Sequence, residues 1–283
     1  MLELADMKRI ELHILTKFAD ICERNGLKYC LAGGTLLGAV RHKGFIPWDD
    51  DVDVFMPRPD YMRFISLCPA VLNEPLKLYV HYNQQDYYHP FARVCDMRTV
   101  YRETRAAGCE LGVYIDVFPL DGLPADIRRS NRHFFWLDKL HRMRLHSVRK
   151  ILTKWSFLEA CAKLPVYWFA RLLGPKFWVR RYDKLMRKYD FESSDYVGML
   201  GNLIYGSRER IDKASVAEYM DMEFEGLRFK APVGYDRYLK NLYGDYMKLP
   251  PEHKRVTQHF FEAEWREDGA AAQSPGPSPH IGL

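Results

Sequence analysis

The chain has 283 residues, 47% of them hydrophobic and 28% charged, with a formal net charge of +5. This composition excludes a disordered or low-complexity chain and allows one sizeable core with a helical annex. No run of ~18 uninterrupted apolar residues occurs, so no transmembrane helix is expected.

The opening "MLELADMKRIELH" carries mixed charge and lacks the apolar stretch of a signal peptide. The expected location is the cytosol, peripheral at the inner face of the cell membrane. Cys22, Cys30, Cys68, Cys95, Cys109 and Cys161 form no CxxC pair and read as small core residues. Charge is unevenly placed. From Arg128 to Lys188 there are 17 Lys/Arg against 3 Asp/Glu, which leaves the remainder net acidic.

In chain order, Met7, Ile10, Ile14, Phe18 and Ile21 recur at helical spacing and predict a helix over 3–25, stopped by Asn25-Gly26. "LKYCLA" (27–32) reads as a buried strand ending at a glycine pair. "TLLGAVRHKG" follows as a short helix from Thr35 and a basic turn. "DVDVFM" (51–56) alternates as a strand, and Pro57-Arg58-Pro59-Asp60 breaks it and caps a helix near 61–72. Strands are expected at 76–82, 91–96, 99–104 and 112–118, the last ended by Pro119 and Asp121-Gly122. Residues 124–190 read as helical. "LIYG" and "EFEGLRFKAP" suggest a late strand pair, and 235–244 a helix ended by Gly244. The Ala/Pro/Ser/Gly-rich segment 267–283 reads as a disordered tail. The division expected is a catalytic core over 1–123 and a helical subdomain over 124–266.

The chemistry concentrates in "GGTLLGAVRHKGFIPWDDDVDVF", residues 33–55. Residues two apart on a strand share a face, so Asp51 and Asp53 point one way while Val52 and Val54 pack the other way. Asp49 extends the acidic row. Such a platform suits a hard cation, because Mg²⁺ takes one or two carboxylates together with substrate phosphate oxygens. Gly33 and Gly34 let backbone approach a phosphate, and the helix beginning near Thr35 offers free N–H groups. Arg41, His42 and Lys43 add positive charge beside such an anion. A Walker A loop is excluded because Ala39-Val40 stands where Lys-Ser/Thr is required. An EF-hand is excluded because Val54 and Asp60 occupy its Gly and Glu positions. The competing reading is a solvated acidic turn. In "VYIDVFPLDG", Asp116 lies among apolar strand residues, costly to bury unless paired or metal-bound. The alternative is an edge-strand aspartate facing water. Asp121, before Gly122, reads as a structural turn residue.

"AGGTLLGAVRHKGFIPWDDDVDV" closely resembles the LicD family, and "RVCDMRTV", "IDVFPLDG" and "LYGDYMKLPPEHKR" resemble further LicD segments in the same order. The resemblance implies an α+β fold: a nucleotidyltransferase (polymerase-β-like) mixed sheet with flanking helices, here followed by the basic helical subdomain. It implies transfer of a phospho-alcohol group, phosphocholine-like, from a CDP-activated donor to a sugar hydroxyl of a cell-surface glycan, releasing CMP. By motif position, Asp51 and Asp53 would hold Mg²⁺ (Mn²⁺ as the alternative ion) with Asp49 supporting or joining them. Asp116 would be a third metal ligand or the general base. Gly33, Gly34 and Thr35 would cradle donor phosphate. Arg93, paired with Asp96, and Lys248 would support the substrate, with structural pairing and helix-end packing as alternatives. Two other readings stay open: a nucleotidyltransferase that releases pyrophosphate, and a non-catalytic, membrane-associated glycan-assembly protein.

The basic stretch interleaves aromatics with Arg and Lys, which suits an anionic membrane surface. The alternative is a helical subdomain with aromatics in its core. No motif points to nucleic acid.

Overall fold

The computed structural model describes residues 1–103, 109–148, 157–255 and 261–266. The expected disordered tail, 267–283, lies outside the described residues. The elements are α1 (Leu4–Arg24), β1 (Cys30–Leu31), α2 (Gly33–His42), β2 (Asp53–Pro57), α3 (Arg58–Val71), β3 (Leu76–Tyr79), β4 (Ala92–Glu103) and β5 (Leu111–Leu123). Then come α4 (Ile127–Val148), α5 (Phe157–Leu173), α6 (Pro175–Met186), β6 (Tyr196–Met199), β7 (Ile211–Asp212), β8 (Tyr219–Phe224), β9 (Leu227–Pro232), α7 (Tyr235–Tyr243) and β10 (Phe261–Trp265). The fold is α+β, with a mixed sheet and flanking helices.

The main sheet runs β1-β2-β5-β4-β10, with β3 beside β4 and β6–β7 continuing from β5. Its β2–β5 pair is parallel, and its other pairs are antiparallel. β5 is flanked on both edges, and its near-continuous apolar run suits that burial. α1 lays Met7, Ile10, Ile14 and Phe18 into the main core. A smaller core of Leu123, Phe134, Leu137, Tyr182, Met186 and Leu200 joins α4 and α6 to the end of β5.

Several expected boundaries change. The strands expected at 91–96 and 99–104 are one strand, β4, with its register to β5 shifting between Asp96 and Tyr101. β5 does not stop at Pro119. That proline falls between the last β4 pair, Ala92–Val117, and the first β6 pair, Leu120–Met199, where a missing N–H is tolerated. Asp121 is therefore a strand residue, not a turn residue. "LIYG" is not a strand. The late pair is β8–β9 alone, closed by Glu225 and Gly226, both at positive φ (52° and 74°) as a two-residue hairpin requires. The helix-rich reading of the second half did not foresee β6, β7 and β10, which all join the main sheet. Among the described residues, no helix is long and apolar enough to cross a membrane.

One buried ion network locks the layers. Arg58, the first residue of α3, donates to both oxygens of Asp121 on β5, at 2.7 and 2.6 Å. Its Nη1 also lies 3.4 Å from Asp183 on α6, whose other oxygen accepts from the Tyr82 hydroxyl at 2.7 Å. Burial alone would lower the guanidinium's pKa, but Asp121 outweighs it and holds it above the ordinary range. Removing one partner of such a pair strands a buried charge. Arg58→Ala should therefore cost about 3–5 kcal/mol in urea unfolding, with Arg58→Met/Asp121→Leu recovering much of it. A loss for Arg58→Ala below about 1 kcal/mol, the range of an exposed pair, would contradict this account.

Candidate active site

The acidic row forms where β2 and β5 run parallel. Their register sets Asp53 beside Asp116, and the β4 register sets Arg93 beside Asp116 from the other edge. Paired residues on adjacent strands project from one face, so three side chains line up across three strands. Arg93 Nε donates to Asp116 Oδ1 at 2.8 Å, and both residues are buried. The guanidinium lies over the Tyr114 ring, 3.8 Å from its centroid. Burial works against the charge of Arg93, but Asp116 outweighs it and keeps it protonated.

The expected Arg93–Asp96 pair does not form. Residues three apart on a strand face opposite sides. Asp96 is held instead by Arg98, with Nε to Oδ1 at 3.0 Å and Nη2 to Oδ2 at 2.6 Å.

Asp51 and Asp53 alternate with fully buried Val52 and Val54, as the strand pattern required. β2 itself begins at Asp53. The Val52 carbonyl accepts the Asp116 N–H at 2.8 Å, which fixes the preceding loop onto β5.

The helix begins at Gly33, two residues earlier than expected, with Ala32 extended as its cap. A Cβ on Gly33, whose φ is +48°, would lie 3.1 Å from Asp53 Oδ2. On Gly34 it would lie 2.6 Å from Asp49 Oδ2. The glycine pair thus lets the positive end of α2 press against two carboxylates. The Thr35 hydroxyl accepts the Asp53 N–H at 2.8 Å, and the Gly33 N–H donates to the Tyr238 hydroxyl at 3.3 Å. Burial, then Asp51, Asp116 and Asp49, push the Asp53 carboxyl well above its ordinary pKa, and Arg93 opposes them.

The basic residues expected nearby divide. Arg41 is half-buried. Its Nε donates to His42 Nε2 at 2.9 Å and its Nη1 to the Tyr246 carbonyl at 2.9 Å. Burial lowers its pKa, while Tyr243 and Asp49 raise it, which places it by the acidic loop. His42 sits edge-on to Trp48, 6.3 Å between centroids. Lys43 and Lys248 have exposed side chains. Lys43 takes the left-handed position (φ 61°) that ends α2, and its carbonyl accepts the Glu225 N–H. Lys248 lies in the turn after α7, its N–H on the Asp245 carbonyl.

Sequence reasoning missed several neighbours of the row. Glu11 is buried on α1, and burial, then Asp51, Asp50 and Asp49, hold its carboxyl well above the ordinary range. A signal existed: Met7, Glu11, Ile14 and Phe18 follow one helical stripe, so a carboxylate interrupts an apolar face. Lys8, one turn earlier, donates to the Ile46 and Pro47 carbonyls at 3.0 and 3.1 Å and pins the acidic loop. From the far half of the chain, Tyr205 and Tyr243 pack edge to face at 5.1 Å, and Asp53 acts on both. Only the fold brings Tyr205 and Tyr238 here.

Among the described residues, no three His, Cys, Asp or Glu side chains are gathered closely enough to hold a metal ion. The donor chemistry nevertheless fits a hard divalent cation of the Mg²⁺ kind. Asp49, Asp51, Asp53 and Asp116 all offer oxygen, Arg93 only partly offsets the repulsion at Asp53, and Mg²⁺ needs one or two protein carboxylates when substrate phosphate supplies more.

The model of the LicD/FKTN/FKRP nucleotidyltransferase domain matches residues 26–165. The chain is 33% identical over 278 residues to the lipopolysaccharide cholinephosphotransferase LicD of Haemophilus influenzae, covering 93% of this chain and 98% of that one. It is 29% identical over 146 residues to an uncharacterized protein of Rickettsia prowazekii, covering 51% of this chain and 49% of that one. A 34-residue stretch is 56% identical to the human ribitol 5-phosphate transferase FKRP, covering 12% of this chain and 7% of that one.

The strain on Asp53 has a sign. A carboxyl whose pKa is raised on folding binds a proton more readily in the folded chain, so stability falls as pH rises from the unfolded toward the folded value. Asp53→Asn removes that repulsion. It should raise Tm by about 2–4 °C at neutral pH, as ~1 kcal/mol does in a chain of this size. The gain should vanish near pH ~3, below the unfolded carboxyl's own pKa. An unchanged or lower Tm at neutral pH would show that the repulsion is absent.

Proposed function

Because the chain belongs to the LicD/FKTN/FKRP nucleotidyltransferase-domain family, we propose that it transfers phosphocholine from CDP-choline to a sugar hydroxyl of lipopolysaccharide, releasing CMP. The observation that carries this reading is the Asp53–Asp116 register, present in a chain similar over almost its whole length to a cholinephosphotransferase. On this reading the sheet is polymerase-β-like, with β2 and β5 as its acidic strands.

The acceptor oxygen forms a bond to the phosphorus bearing choline. The bond from that phosphorus to the bridging oxygen breaks, and CMP leaves with the electron pair. Asp116, oriented by Arg93, takes the proton of the attacking hydroxyl. Arg93 Nη1 is buried and has no hydrogen-bond partner among the described residues, which leaves a donor to spare beside Asp116. The first turn of α2, at Gly34 and Thr35, presents N–H groups to the donor phosphate. Arg41, whose charge is felt by Asp49, would receive the nucleotide's negative charge. Asp51 and Asp53, supported by Asp49, would hold Mg²⁺ (or Mn²⁺), which supplies charge neutralisation for the transferring phosphoryl group and for CMP. The residues' own work is positioning and electrostatic stabilisation.

CMP release should be measured with CDP-choline, CDP-ethanolamine, CDP-glycerol and CDP-ribitol, each with Mg²⁺ and lipopolysaccharide. Release is expected from CDP-choline with choline phosphate appearing on the glycan. Asp53→Asn and Asp116→Asn should each reduce it by about 10²–10⁴-fold at unchanged circular dichroism. Pyrophosphate as the leaving product would instead indicate nucleotidyl transfer to a small molecule. No release from any donor would indicate a protein without this chemistry.

A further inference from the structure

α4, α5 and α6, none of which supplies a residue to the acidic row, carry exposed aromatic, aliphatic and basic side chains. On α4, Arg128, Arg132, Phe135, Trp136 and Lys139 recur at i, i+4, i+7, i+8 and i+11, which is one helical face. Phe135 and Trp136 are 53% and 55% exposed, far more than aromatic residues of a core would be. On α5, Trp168 is 68% and Leu172 82% exposed. These residues do not form the apolar core of a helical subdomain.

A cavity of about 650 Å³ opens between α4 and α6, lined by Leu140, Arg181, Lys184, Leu185, Arg187 and Lys188. Leu140 follows Trp136 by one helical turn, so the aromatic face runs into the cavity's edge. Arg181, Lys184, Leu185 and Lys188 in turn occupy one face of α6 and its end. The carboxylate at this cavity, Asp183, is buried and already bonded to Arg58 and Tyr82. Cations also sit over rings here, with Lys139 Nζ 5.0 Å from the centroid of exposed Phe135 and the Arg181 guanidinium 5.2 Å from that of half-buried Phe177.

We propose that this face docks onto an anionic lipid bilayer, with Trp136, Phe135, Trp168 and Leu172 entering the interface and the α4–α6 cavity receiving a lipid phosphate. Charge complementarity selects this occupant. Interleaved aromatics and cations match a surface that is apolar below and anionic above. A second copy of the chain would bring the same positive charge to the contact. This inference is independent of the transfer reaction proposed above.

Sedimentation of the full chain with vesicles tests it. Vesicles of phosphatidylcholine with phosphatidylglycerol should bind at least tenfold more tightly than phosphatidylcholine alone, and salt at about 0.5 M should abolish the difference. Arg181→Glu/Lys184→Glu should lose at least tenfold in affinity for anionic vesicles. Phe135→Ser/Trp136→Ser should weaken binding severalfold while keeping the lipid preference. Circular dichroism and Tm should show both variants folded, and each should keep CDP-choline turnover on soluble acceptor fragments if the parent has it. Equal binding to neutral vesicles, or folded variants that bind like the parent, would overturn the proposal. So would a loss of self-association in the aromatic variant with vesicle binding unchanged.

Discussion

Two aspartates facing each other across parallel strands, in a half-buried site, are the constraint around which this fold is arranged. Like charges directly opposite on a sheet are destabilising. The protein offsets them in two ways. Arg93 comes from the third strand to bond Asp116 and is itself held flat against Tyr114. The N-terminus of α2 comes from above, admitted by the missing side chains of Gly33 and Gly34. Neither removes the repulsion at Asp53, whose carboxyl remains well above its ordinary pKa. The unspent negative charge is what a bound cation would relieve.

The rest of the structure holds that arrangement still. Thr35 fixes the start of β2 by its backbone, and Lys8 pins the loop that carries the acidic residues. Tyr238 reaches Gly33 from the far half of the chain. The Arg58–Asp121–Asp183 network sits one strand-end away and ties the sheet to α6, so the basic helices are fixed relative to the acidic strands. The acidic strands and the basic helix α6 are thus tied together through one buried ion network.

Local patterns showed much of this in the sequence. The stripe of α1, the Asp-Val-Asp-Val alternation and the helix ended by Gly244 each depend on neighbours a few residues apart, and each is present. Asp49, Asp51 and Asp53 stand out by the same short-range spacing, and Asp116 by standing alone among apolar strand residues. Pairing across the sheet was not. Nothing near Arg93 indicates that its partner is 23 residues away on β5 rather than at Asp96. Nothing near Tyr196 or Phe261 indicates which edge receives β6 and β10. Pro119 misled because its cost depends on whether a neighbour needs its N–H, and on the edge shared by β4 and β6 no pair falls at that residue. The glycine pair was recognised as a place of close approach, but the groups approaching it include the protein's own carboxylates.

The most direct test of this account is a ¹³C NMR titration of the aspartate side-chain carboxyls, without and with Mg²⁺ and CDP. Without them, Asp53, assigned by its loss in Asp53→Asn, should titrate well above the ordinary aspartate range. With them, it should move back into or below that range. A resonance that titrates at the ordinary value, or one that ignores the added cation and nucleotide, would contradict the claim that the crowded carboxylates await a positive partner.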